Sequence, residues 1–398
     1  MTTRTGVGTS IHRNPSEAGR EAVQAAMAQA GIDRCDFMMM FATVGYPQEK
    51  LVAAVREAGG RAPLIGCSAE GIIVHEQAIE ESHALAVMVW QSDELRFIHA
   101  MTQGLRDDPY AAGCDTAAKL GAIPADAAAL FLFTDGIHVN FDRFRNGFED
   151  TARPERFLPI FGGAAADNWQ LTRTYQYCDD QVFSDGVAGA VLCGPAEIVS
   201  GISHGCVPIG RERMITRCEG NKVYEIDGKP ALEIFKEYLG TDDEENLDQA
   251  RVHLCFSFRT PDAMADDYEG YIVRFTPAKD ESDGSVLLPT ELDATSGIPV
   301  WMTRRDFQKM YSGAETLNLE IKRQLAGRRP CLVAHFDCAG RGRMMFREEE
   351  KNRLISRLQM GIDHDVPWLG FYTYGEIGPI RQSNFFHNYS AVVACIVT

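Results

Sequence analysis

Apolar residues in this chain alternate between short continuous runs and helical spacing, and that alternation predicts the elements in order. Asn14-Pro15-Ser16-Glu17 supplies a capping side chain, a first-turn proline and an acid three residues after the cap. Ala22, Val23, Ala26, Met27 and Ala30 then recur at helical spacing, and Gly31 closes the helix. The run DFMMMFATV is short and continuously apolar, as in a buried strand. PQEKLVAAVREAGG returns to helical spacing with Leu51, Val52 and Val55 on one face, and PLIGCS is another strand stopping at glycine.

The same order recurs twice. AALFLFTDGIH is a strand, a helical or irregular stretch runs to Pro159, and PIFGGAAAD answers PLIGCSAEG. Near the end, CLVAHFDCAGRG is a strand and EEEKNRLISRLQMG a helix with Leu354, Ile355 and Leu358 inward. PWLGFYTYGEIG closes that unit, with aromatics where the earlier copies have small residues. Each copy is followed by a further apolar strand: HALAVMVW, GVAGAVLCG and NYSAVVACIVT. Three β-α-β-β units are therefore expected, two in the first half and one in the last.

Between the halves, two strand-like runs flank Gly220-Asn221, a hairpin signal. Asp227 and Pro230 start a helix that Gly240 ends, and TDDEENLDQ reads as an acidic surface loop. The boundary falls near residues 215–220, giving domains 1–218 and 219–398. The second half adds strands RVHLCFSF, EGYIVRF and SVLLP and a helical link over 304–325. The fold class is α/β in the mixed α+β sense: repeated β-α-β-β units forming mixed sheets with outer helices, in two domains.

Composition narrows the function classes. The 398 residues exceed one average domain, and 45% hydrophobic with 24% charged residues is ordinary for a soluble chain. No run approaches the length of a bilayer span and MTTRTGVGTSIHRNPSEAG has no apolar signal core, so a soluble, cytoplasmic protein is expected. A net charge of −17 opposes a phosphate backbone and an anionic membrane alike, so neither nucleic acid nor membrane is an expected partner. The eleven cysteines include no C-x-x-C pair, which favours reduced, buried thiols over a zinc or redox site. Neither a Walker loop nor G-x-G-x-x-G is present, so nucleotide binding has no motif support.

Ligands of strand-helix-strand units gather beyond the carboxyl ends of parallel strands. That rule selects Gly66-Cys67-Ser68, Thr134-Asp135-Gly136, Gly162-Gly163, Asp337-Cys338 and Tyr372-Thr373-Tyr374. Glycines there either admit backbone N–H groups to a ligand or simply make the turns. Cys67 is either an activated nucleophile or a buried inert thiol, with no histidine near it in sequence except His75. His138, and His204 beside Ser203, are candidate metal or haem-iron ligands, but neither has a second histidine at ligand spacing. His335 and Asp337 share one face of a strand, as a charge-paired core histidine would. Arg341 and Arg343 can grip a carboxylate, Asp135 and Glu376 can receive an ammonium, and Tyr372 and Tyr374 offer an apolar face with a polar tip. Together they suit a small zwitterion such as an amino acid; no metal site is expected.

LIGCSAEG, FGGAAADNW, VSGISHGCVPIG, EGNKVYEIDGKPALEIFKEYLG and GFYTYGEIGP followed by FFHN resemble, in this order and over nearly the whole chain, the FIST family with its N-terminal and C-terminal domains. These motifs complete the candidate ligand-binding set: Cys67, Ser68, Asp135, Gly162, Gly163, Asp167, Asn168, Ser203, His204, Arg341, Tyr372, Tyr374 and Glu376. The first motif departs from the family, which usually has a threonine at the place of Ala69 and an acid after the glycine. The resemblance implies a sensory module of bacterial signal transduction that binds small ligands such as amino acids. Some relatives bind haem and respond to nitric oxide. Members often sit beside or within kinases, chemoreceptors or cyclic-nucleotide enzymes. FIST motifs account for both halves here, so a stand-alone sensor is expected, acting through a separate output protein such as a kinase or chemoreceptor. Two alternatives stay open: a haem-based gas sensor using His204 or His138, and a cysteine-dependent enzyme using Cys67.

Overall fold

The computed structural model describes residues 3–239, 253–260, 270–292 and 294–398. The expected helix end at Gly240, the loop TDDEENLDQ and the first residues of RVHLCFSF and EGYIVRF lie outside them. The described residues form a mixed α+β fold with seven α-helices and four sheets. Local signals act where the sequence places them. Asn14 accepts from the N–H groups of Ser16 and Glu17, and Gly31, at φ 64°, ends the helix Pro15–Ala30.

Three six-stranded sheets follow one plan. In the first, Phe37–Thr43 runs parallel to Leu64–Ala69 and antiparallel to Leu85–Gln91, with Arg4–Ser10 beyond. Ala127–Thr134, Ile160–Ala164, Gly186–Cys193 and Arg96–Gln103 take the same places in the second. Leu332–Cys338, Trp368–Thr373, Ala391–Val397 and Glu197–Ser203 take them in the third. The expected β-α-β-β core is present three times, and each unit also carries a leading strand, a second helix and a hairpin.

Each hairpin leaves its own unit. Gly71–Val74 and Gln77–Ile79 complete the third sheet, Gln176–Cys178 and Gln181–Phe183 the first, and Glu376–Ile380 and Ser383–His387 the second. The exchange is cyclic. A further eight-stranded sheet, from Cys206–Glu219 to Ile298–Arg305, is inserted into the third unit between its first strand and the helix Phe307–Leu325. Its hairpin turns at Gly220-Asn221 as expected, with Glu219 opposite Lys222. The helix following it begins later than residue 304, because Arg304 and Arg305 finish a strand and Asp306 caps the helix by accepting from Lys309 N at 3.0 Å.

The centre of the molecule explains both the repeated glycine and the aromatic third copy. Gly66, Gly162 and Gly370 lie opposite Met40, Leu132 and His335 on the parallel neighbour. A Cβ on any of the three would come within 1.9, 1.9 or 2.2 Å of that neighbour's carbonyl oxygen. Close strand approach therefore requires the glycine. One residue further on, Phe41, Phe133 and Phe336 face Cys67, Gly163 and Phe371. These rings meet in one core, with Phe371 4.2 Å from Phe41 and 5.8 Å from Phe336, centroid to centroid. Phe371 fills the space that the small Cys67 and Gly163 leave, as close packing demands.

Candidate functional site

The carboxyl ends of the three parallel pairs converge. Ala166 N donates to Ser68 O (3.0 Å), Glu70 N to Tyr372 O (3.0 Å), Tyr374 N to Ala164 O (3.0 Å) and Ala164 N to Gly375 O (2.7 Å). Between this junction and the inserted sheet lies a cavity of about 330 Å³, within the range of small-ligand pockets. Gly136, Ile137, Trp169, Cys338, Thr373 and Tyr374 line it from the strand ends. Phe275, Pro277, Pro289 and Arg305 line it from the inserted sheet, Phe386 from the exchanged hairpin, and Asn388 and Tyr389 from the segment just after it. Arg305 is the one charged side chain among these lining residues. It donates to Gly340 O and to His253 Nδ1 (2.8 Å), and its guanidinium lies 5.1 Å over the Tyr389 ring. Trp169 Nε1 is buried with no hydrogen-bond partner among the described residues.

Two buried carboxylates shape this wall without lining it. Asp167 accepts from Leu171 N (2.9 Å), Thr172 N (2.7 Å), Arg173 N (3.0 Å) and Tyr374 Oη (2.9 Å), so the loop winds around it. That winding places the Trp169 ring 5.2 Å from the Tyr374 ring, and Asn168 and Trp169 both take φ near the left-handed region, at 60° and 59°. Asp135 accepts from Ile137 N and His138 N, both at 2.8 Å, and from Thr174 Oγ1 at 2.9 Å, which fixes the Gly136-Ile137 turn. Behind Trp169, Arg343 joins Glu70 (2.8 Å) to Asn168. Burial pushes the Glu70 carboxyl up to about 7, against the opposing pull of Arg343.

Of the residues selected from the sequence, Gly136, Cys338, Thr373 and Tyr374 line the cavity. Ser68 ties the junction together, donating to Ala166 O (2.7 Å) and accepting from Tyr175 N (3.0 Å). Cys67 is in the central core, where desolvation pushes its thiol pKa well up. Gly162 and Gly163 permit close contact with Leu132 O and the Thr373 methyl. Ser203 ends a strand opposite Ala391, and the His204 imidazole accepts from Cys206 N (2.9 Å). Arg341 is fully buried and donates to Asp337 (2.7 Å) and His204 O (2.8 Å); His335 sits 3.2 Å from the same Asp337. Tyr372 packs in the third unit's outer core. Glu376 accepts from Thr373 Oγ1 (2.8 Å), Ser390 N (3.0 Å) and Ser390 Oγ (2.7 Å), and burial lifts its carboxyl to about 8.

Sequence reasoning passed over Trp169, Phe275, Arg305, Phe386, Asn388 and Tyr389. Trp169, Phe386 and Asn388 lie inside motifs already singled out, so their signal was present. Arg305 and Phe275 reach the wall only because the inserted sheet folds back, and nothing local in the chain marks them. A larger cleft of about 910 Å³ beside the helix Phe141–Ala152 mixes four arginines with four acids and lies away from the strand ends.

An N-terminal and a C-terminal sensory domain in tandem are what the comparisons with known proteins define. Residues 36–229 match the FIST N domain and residues 231–379 the FIST C domain. The chain belongs to the FIST family, sensory domains of signal transduction. An uncharacterized protein of Mycobacterium tuberculosis strain H37Rv is 25% identical, covering 99% of this chain and 100% of its own. Another from Mycobacterium bovis is 26% identical, covering 84% of this chain and 83% of its own. Among solved structures, a cyanuric acid hydrolase from A. caulinodans is 11% identical with a TM-score of 0.33, covering 99% of both chains. PurLQS from Thermotoga maritima is 11% identical with a TM-score of 0.24, covering 99% of this chain and 72% of its own.

Proposed function

We propose that this protein is a stand-alone cytoplasmic sensor that binds a small carboxylate, an amino acid or a related metabolite, in the strand-end cavity. The observation that carries this reading is an aromatic, mostly apolar cavity whose described lining includes one guanidinium, that of Arg305. In such a site Trp169, Tyr374 and Phe275 take the apolar body of the ligand. Arg305 and the Asn388 amide take the carboxylate, and the Trp169 N–H, which has no partner among the described residues, gains an acceptor. The described lining has no Asp or Glu to receive an ammonium, so 2-oxo acids should bind at least as tightly as the matching amino acids. The ligand bridges the repeated core and the inserted sheet, so occupancy biases how those parts sit together. That bias is the signal passed to a separate output protein such as a kinase or chemoreceptor.

The haem alternative draws less support. No histidine is among the described lining residues, and desolvation holds Cys338 well above the ordinary thiol range, so this lining offers neither an imidazole nor a ready thiolate. Cys67 likewise lacks the electropositive, accessible setting of a nucleophile. A thermal-shift screen of amino acids, 2-oxo acids and haemin tests the reading. A ligand at about 100 times its Kd adds roughly 2.7 kcal/mol. A selective carboxylate hit is expected; a shift from haemin alone would overturn the assignment.

A further inference from the structure

The two-residue tip of the first unit's hairpin carries His75 and Glu76, between the paired Val74 and Gln77. This hairpin belongs to the third sheet, and its tip meets the segment after the helix Glu348–Gln359. Gln359 clamps the contact from both sides, donating to Val74 O (3.0 Å) and accepting from Glu76 N (2.6 Å). Across that clamp His364 stacks on His75, with ring centroids 3.9 Å apart, and His364 Nε2 stands 3.7 Å from the Glu76 carboxylate.

We propose that His75, Glu76 and His364 form a divalent-cation site suited to Zn²⁺, pinning the exchanged hairpin to the third unit. One ligand atom from each residue lies within 4.8 Å of the other two. Bonds of about 2.0–2.1 Å in a tetrahedron set ligand atoms about 3.3 Å apart, so binding requires the stacked rings to turn until both in-plane lone pairs meet the ion, a movement that the exposed His364 side chain can make. Two imidazoles and one carboxylate leave the fourth position for water, a donor set typical of zinc. An independent sign is His75 Nδ1, a buried nitrogen with no hydrogen-bond partner among the described residues. Among the described residues His99, Cys178 and Asp179 form another such group, but there Asp179 is held by Arg56 (3.4 Å) and burial pushes the Cys178 thiol up to about 12.

The test uses the full chain without a histidine tag, titrated with Zn²⁺ by calorimetry and with Co²⁺ as a spectroscopic probe. One equivalent of tight Zn²⁺ is expected, with Co²⁺ absorption of a four-coordinate site. His364→Ala and Glu76→Gln, both at exposed positions, should each weaken Zn²⁺ at least tenfold. His99→Ala, at the competing group, should leave it unchanged. Binding that survives both His364→Ala and Glu76→Gln, or is lost in His99→Ala, overturns the site, as does a wild-type Kd in the millimolar range.

Discussion

Glu376 shows how far a residue's place in the fold can depart from what its type suggests. The sequence offered it as a receiver for an ammonium group, and the structure surrounds it with three donors in a sealed core. Its carboxyl is raised from the ordinary range to about 8, chiefly by desolvation. A raised carboxyl pKa favours the folded state while the group is protonated. Its stabilising contribution is therefore whole below the unfolded pKa, near 4.5, and is lost as pH rises through about 8. Urea midpoints for wild type and Glu376→Gln should converge at pH 5, and the variant should be the more stable at pH 9. A difference independent of pH would mean that Glu376 is not protonated in the native state. Charge and polarity were legible at this position; burial was not, because Tyr372, Thr373 and Glu376 look alike from the sequence while all three are enclosed.

At the scale of elements, the loop from Ala166 to Arg173 is the piece most directly tied to the cavity. Five donors converge on Asp167, and Trp169 is aimed by them. Asp167→Ala orphans these groups, at a cost of about 1–3 kcal/mol for each one left buried. The loop should become the first site of limited proteolysis, and ligand affinity should fall with little change elsewhere in the amide spectrum. Unchanged proteolysis would show that the loop holds its shape without Asp167. Strands, helices and the Gly220-Asn221 turn were legible because local spacing and capping chemistry determine them. The small hairpins after the parallel strands were not, since GIIVHEQAI and EIGPIRQSNFFH gain their partners from distant units.

At the scale of the whole molecule, threefold repetition was readable from proline and glycine positions, while the cyclic exchange was not. Local pattern reports that a strand exists and says little about which sheet receives it. Exchange makes the units interdependent: residues 1–193 contain two units, yet the second sheet takes strands from residues 376–387 and the hairpin 71–79 pairs with Trp368–Thr373. A fragment ending at residue 193 should therefore lack the dispersed amide spectrum and sharp unfolding of a native domain. A cooperatively folded fragment would show that the exchanged hairpins are dispensable. The same interdependence brings the inserted sheet's Arg305 to strand ends and loops contributed by the second and third units, and so builds the cavity.

Calorimetric titration of wild type, Arg305→Met and Trp169→Ala with aromatic and branched amino acids and their 2-oxo acids tests the central claim most directly. One-to-one binding of at least one carboxylate is expected, weakened tenfold or more in Arg305→Met and also reduced in Trp169→Ala, with circular dichroism unchanged. Binding that both variants retain at full strength, or no binding across the series, would contradict a carboxylate sensor built on this cavity.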